Sequence, residues 1–142
     1  MKKEEVPQDL GIAGGCAEIC YAVDDDGHYV KAQSLGWEAK NIANDQAWEV
    51  IDGQVKQVLE EIRKGKKSVL AFYMVKNQMD AALLGRYAGV AAWRVRWHLR
   101  AGGFRGLKPK LLEKYAKVFG ISHEGFCLSV EALEKIPVKD EN

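Results

Sequence analysis

Three histidines, three cysteines and twenty acidic residues are the groups in this 142-residue chain that could serve as nucleophiles, general bases or metal ligands. Their spacing assembles no such site. His28, His98 and His123 have no Cys, Ser or paired acid placed to form a dyad or a metal cage. Cys16, Cys20 and Cys127 are an odd set without CxxC spacing, which supports neither a disulfide framework nor a zinc site and reads as reduced thiols. Asp24-Asp25-Asp26-Gly27 has the composition of a calcium loop, but the twelfth position from Asp24, where such a loop needs an acid, is Leu35. Gly102, Gly103 and Gly106 follow no strand and precede no Gly-Lys-Ser/Thr, so they do not read as a phosphate loop. No catalytic residue, cofactor or metal is expected, and the chain reads as non-enzymatic.

One pattern does carry chemistry. A formal charge of +1 conceals a strong segregation. Residues 1–63 hold 6 Lys/Arg against 13 Asp/Glu, a net −7, and residues 118–142 hold 2 against 5, a net −3. Residues 64–117 hold 13 against 2, a net +11. A local excess of that size sets up a positive potential that attracts polyanions and releases their counterions on contact. Within it, Trp93-Arg94-Val95-Arg96-Trp97-His98-Leu99-Arg100 interleaves cations with indoles at helical spacing. The plain alternative is a solvated basic face.

The elements that must position these residues can be read from periodicity and punctuation. Gly11 to Gly15 reads as a flexible lead-in. Ala17 to Val23 and His28 to Ala32 favour strands, and the aspartate turn between them, closed by Gly27, gives a β-hairpin. Asn44 or Asp45 can cap an amphipathic helix carrying Trp48, Ile51, Val55, Val58, Leu59 and Ile62, which ends at Lys64-Gly65-Lys66 and is expected to pack on the hairpin. A helix from Ser68 to about Asn77 follows. Asp80 can cap Ala81 to Ala88, Gly89 stops it, and Ala91 to Arg100 forms the next helix. Ala101 to Gly106 reads as a glycine-rich basic loop. Pro109 opens another helix that Gly120 closes, and Ser122 and Ser129 can cap two further turns before Pro137. The expected fold class is α+β, mainly α: residues 1–66 as an N-terminal β-hairpin plus helix, packed with a helical bundle over residues 67–142. The longest apolar run, Val69 to Val75, is far short of the roughly 20 residues that span a bilayer, and no signal peptide is evident. A cytoplasmic protein without membrane contact is expected.

Asp80-Ala-Ala-Leu-Leu-Gly-Arg-Tyr-Ala-Gly-Val-Ala-Ala-Trp-Arg-Val-Arg-Trp-His-Leu99, followed by Leu111-Leu-Glu-Lys-Tyr-Ala-Lys-Val-Phe-Gly-Ile-Ser122, resembles the helix-turn-helix of the lambda-repressor-like family, here within a chain that is similar as a whole to small bacterial proteins. That family places a small residue in the first motif helix, a glycine four later, an apolar residue next, and a branched apolar residue five further on. Gly85, Gly89, Val90 and Val95 hold those positions. The resemblance covers about 50 of the 142 residues.

The resemblance implies a DNA-binding transcriptional regulator that acts on double-stranded DNA, with a homodimer as the family's common state. It puts the second motif helix in the major groove, with Ala91, Ala92, Trp93, Arg94, Arg96, Trp97 and Arg100 on the DNA side and Val95 and Leu99 inward. Arg96 and Arg100 would meet guanine edges or phosphates, and Arg86, Arg105, Lys108 and Lys110 would meet phosphates. The chain departs from the family at Ala81 and Ala91-Ala92, where polar anchors are common, and at Trp93 and Trp97, where smaller polar residues are usual. These indoles can contact thymine methyls or unpaired bases, or pack against the hairpin unit or a second subunit. The rival is therefore a protein-protein interaction module of the same shape that uses the Trp93/Trp97 face. His98 falls where the family has an apolar core residue, so a partly buried histidine is expected.

Overall fold

The computed structural model describes residues 1–8 and 17–138. The lead-in Gly11 to Gly15 and Cys16 lie outside the described residues. The fold is α+β and mainly α, with one two-stranded antiparallel sheet and seven α-helices among the described residues. No helix is long and apolar enough to cross a membrane among those residues.

Strands β1 (Glu18–Val23) and β2 (Tyr29–Ser34) pair in a hairpin register that sets Ala22 opposite Val30 and Cys20 opposite Ala32. The aspartate run forms the turn. Asp24 Oδ1 accepts hydrogen bonds from the Asp26 N–H (3.1 Å) and the His28 N–H (2.8 Å), and Gly27 supplies φ +81°. Asp24, Asp26 and His28 bring their polar atoms within 4.8 Å of one another, and one Asp24 oxygen is committed to the turn.

Helix α1 (Glu38–Arg63) begins six residues before the first expected cap, at Asn44. The Asn41 N–H already bonds the Trp37 carbonyl, and Glu38-Ala39-Lys40 are good helix formers that give the chain no reason to wait. The packing of α1 also differs from expectation. Its Val55 and Leu59 are buried in a cluster with Leu70, Phe72, Leu84, Val95, Tyr115 and Leu133, not with hairpin residues. Among the described residues the buried cluster at the hairpin is Val6, Ala22 and Ala32, too small to receive a long apolar stripe. The chain accordingly forms two compact units, Met1–Glu49 and Val50–Val138, and the second half of α1 belongs to the helical one instead of ending an N-terminal unit at residue 66.

In that unit α2 (Val69–Lys76), α3 (Ala81–Ala88), α4 (Ala92–His98), α5 (Ala101–Arg105), α6 (Pro109–Phe119) and α7 (Val130–Glu134) surround the core. Asp80 caps α3 through the Leu83 N–H (2.7 Å), and Gly89 ends it at φ +65°. Pro109 opens α6 and Gly120 closes it at φ +63°. Ser129 caps α7 with its side chain, but Ser122 makes no side-chain cap on the 3-10 turn His123–Cys127. The expected loop from Ala101 to Gly106 is a correction: residues 101–105 are helical, because neither Gly102 nor Gly103 needs a positive φ. The direction change falls at Arg100, which is extended at ψ 143°.

Candidate nucleic-acid interface

The site is built on α3, α4 and the three residues that join them. Gly85 lies in α3 where α4 comes closest. A Cβ on it would overlap the Val90 carbonyl oxygen and lie 3.5 Å from both the Ala92 nitrogen and Val95 Cγ2. Its lack of a side chain is what allows the turn to fold back against the helix. Val90 and Val95 are then buried, with Leu84 and Ala88 from α3. The Val90 N–H bonds the Gly85 carbonyl at 2.8 Å, closing the turn. The inward set expected for α4, Val95 and Leu99, is buried as stated.

The outward set is exposed. Trp93 and Trp97 retain 69% and 57% of their surface, and Arg94, Arg96 and Arg100 beside them face solvent. Ala92 is half-buried at the helix start. Arg86 on α3, Arg105 at the end of α5, and Lys108 and Lys110 at the start of α6 are all exposed. From Ala81 to Leu112 the chain has seven cations and no acid. None of the seven is paired with a carboxylate among the described residues, where the ion pairs lie elsewhere: Lys40 with Glu18, Lys56 with Asp52, Arg63 with Glu60 and Glu134, and Lys117 with Glu113. The Arg100 guanidinium sits 6.0 Å from the Trp97 ring centroid, at the outer limit of a cation–π contact.

Below the surface, His98 is 5% exposed and its Nδ1 is 2.8 Å from the Tyr115 hydroxyl, which is itself fully buried. The Ser68 hydroxyl, expected only to start a helix, donates instead to the His98 carbonyl at 2.7 Å, and the Ser68 N–H bonds the Leu99 carbonyl at 2.8 Å. These bonds fix the end of α4. Burial, and secondarily the nearby Arg94 charge, hold His98 below the usual imidazole range, while burial pushes the Tyr115 phenol up to about 12. The sign for stability follows. An unfolded His98 takes up a proton near pH 6.5 and the folded one resists it, so this residue contributes no pH dependence above that value and progressively destabilises the fold as pH falls below it. We expect the thermal midpoint to fall between pH 7 and 5 more steeply in wild-type protein than in His98→Gln. Parallel curves would show that His98 titrates freely in the fold.

Sequence reasoning missed the third lysine of this region. Lys114 lies one helical turn beyond Lys110 on α6 and lines the same open groove as Arg94, Trp97 and Lys108. The four-residue spacing of the two lysines is visible in the sequence, but not that α4, α5 and α6 converge there.

No family model, curated protein or solved structure matches the chain.

Proposed function

We propose that this protein binds double-stranded DNA through a helix-turn-helix of the lambda-repressor-like kind formed by α3 and α4, and acts in the cytoplasm as a sequence-specific transcriptional regulator. The observation that carries the reading is an exposed outward face of α4 holding Arg94 and Arg96, with Arg100 just beyond its end, all three without carboxylate partners among the described residues. An α-helix with its side chains is about 10 to 12 Å across, which suits a major groove about 12 Å wide. Arg96 on α4 and Arg100, two residues beyond its end, would then read guanine edges or hold phosphates, while Arg86, Arg105, Lys108 and Lys110 hold the backbone on either side. The exposed Trp93 indole would contact thymine methyls, and Ala92 would allow the helix start to approach the bases. A homodimer reading two half-sites is the arrangement that gives such a small module useful specificity.

The test is selection of bound fragments from a mixed genomic DNA pool. The expected result is enrichment of a short sequence with two-fold symmetry. Recovery of the input distribution would reduce the reading to non-specific binding, and no recovery would end it.

A second reading rests on one observation. Leu83, Tyr87, Trp93 and Trp97 all remain exposed on α3 and α4, which is more apolar surface than phosphate binding requires. The same fold would then be a protein-interaction module, for a partner or a second copy. Trp93→Ala with Trp97→Ala should in that case abolish self-association in sedimentation while leaving any duplex affinity almost unchanged.

A further inference from the structure

The groove between α4, α5 and α6 has a composition that duplex binding alone does not require. Its volume is about 520 Å³, within the range of small-molecule sites. Arg94, Lys108, Lys110 and Lys114 line it, and no carboxylate among the described residues does. Its apolar surface comes from the Trp97 indole, Leu107 and Leu111. Gly103 is what lets α5 pack directly against Trp97 at the groove wall: a Cβ there would overlap the Trp97 carbonyl oxygen and lie 2.8 Å from Trp97 Cδ1.

His98 adds an independent indication. It is 95% removed from solvent, and its Nδ1 is taken by Tyr115. Its other ring nitrogen makes no hydrogen bond among the described residues, yet no buried side-chain nitrogen or oxygen there is left orphaned, so Nε2 must keep contact with solvent. The groove is the solvent space that His98 lines. A mostly buried His98, with one ring nitrogen unpaired among the described residues, thus borders the groove. When Nδ1 accepts from the Tyr115 hydroxyl, Nε2 carries the hydrogen and donates toward the ligand.

We propose that this groove holds a single nucleotide, with its planar base against Trp97 and its phosphate among Arg94, Lys110 and Lys114. Four cations without a carboxylate partner among the described residues suit a doubly charged phosphate better than a lone carboxylate, and an indole with two leucines suits a flat ring that stacks. The nucleotide has two possible sources of the same chemistry: a free mononucleotide, or an unpaired nucleotide of a strand. Arg94, Trp97, Lys108 and Lys110 also belong to the proposed duplex interface, so a bound mononucleotide would exclude duplex. That exclusion rests on the DNA-binding reading, whereas the groove's occupancy does not.

The test is calorimetric titration of the full chain with guanosine 5′-monophosphate, guanosine and inorganic phosphate at fixed ionic strength. The expected result is saturable binding of the monophosphate, with guanosine and phosphate each at least about tenfold weaker, since each keeps only one of the two contacts. Lys110→Ala with Lys114→Ala should weaken the monophosphate about tenfold or more. Trp97→Ala should do the same, and neither variant should lose its thermal transition, because all three side chains are exposed. A second arm compares a fully paired duplex with one carrying a single unpaired guanosine. Preference for the unpaired site, lost in Trp97→Ala, supports the strand as source even if the free nucleotide binds weakly. No saturable nucleotide binding together with equal affinity for the two duplexes overturns the proposal, as does nucleotide binding indifferent to both sets of substitutions. Duplex binding that survives such a result leaves the DNA reading standing, and nucleotide binding without duplex binding removes that reading alone.

Discussion

Replacing Gly85 with alanine is expected to lower the stability of the helical unit by about 3 kcal/mol, at the upper end of ordinary overpacking costs. The added carbon would collide with the Val90 carbonyl oxygen, which is backbone and cannot rotate away. The only relief is to move the turn or to separate α3 from α4, and either would loosen the buried contacts of Val90, Val95 and Leu84. For a chain of this size the change corresponds to a fall of roughly 10 °C in Tm. Gly53 provides the control. It lies inside α1 with open space where its Cβ would be, and Gly53→Ala is expected to stabilise by about 0.5 to 1 kcal/mol through helix propensity alone. Thermal unfolding followed by circular dichroism on both variants checks the pair. Equal, small effects of the two substitutions would mean that α3 and α4 do not cross where the structure places them.

Changing Arg96 and Arg100 together to alanine is expected to weaken duplex binding roughly a hundredfold, since each well-made arginine contact is worth about 1 to 3 kcal/mol. The fold should barely notice. Both side chains are exposed, and neither makes a side-chain hydrogen bond or ion pair among the described residues; Arg100 lies 6.0 Å from the Trp97 ring centroid. Fluorescence anisotropy with the selected duplex, read beside Tm, separates the two outcomes. A large loss of affinity at constant Tm assigns the pair to the interface. A lower Tm would make them structural, and unchanged affinity would place the duplex elsewhere or nowhere.

Much of the site was legible because its determinants are local. Asp80 and Gly89 bracket α3 by capping chemistry that needs no knowledge of the tertiary fold, and Gly85, Val90 and Val95 follow a spacing whose reasons are steric. The exposed cations of α4 could be placed because the inward positions, Val95 and Leu99, were fixed first. What escaped was long-range. The apolar stripe of α1 reads the same whether it faces a hairpin or a bundle, and only the small size of the hairpin's core decides between them. Gly102 and Gly103 look like a loop because glycine is poor in helices. Here Gly103 is kept bare by the approach of Trp97, from a helix earlier in the chain. The His98–Tyr115 bond joins residues 17 apart on different helices, and no period announces it.

The most direct test of the account is the salt dependence of duplex binding by the intact protein, measured from about 50 to 200 mM salt, a range over which phosphate contacts lose affinity steeply. If most of the seven exposed cations between Arg86 and Lys110 hold phosphates, the logarithm of the binding constant should fall with the logarithm of salt at a slope of about −4 to −6. Absence of binding at the low end, or a slope shallower than about −1, would contradict it, because a surface this cationic cannot dock on a duplex without displacing its counterions.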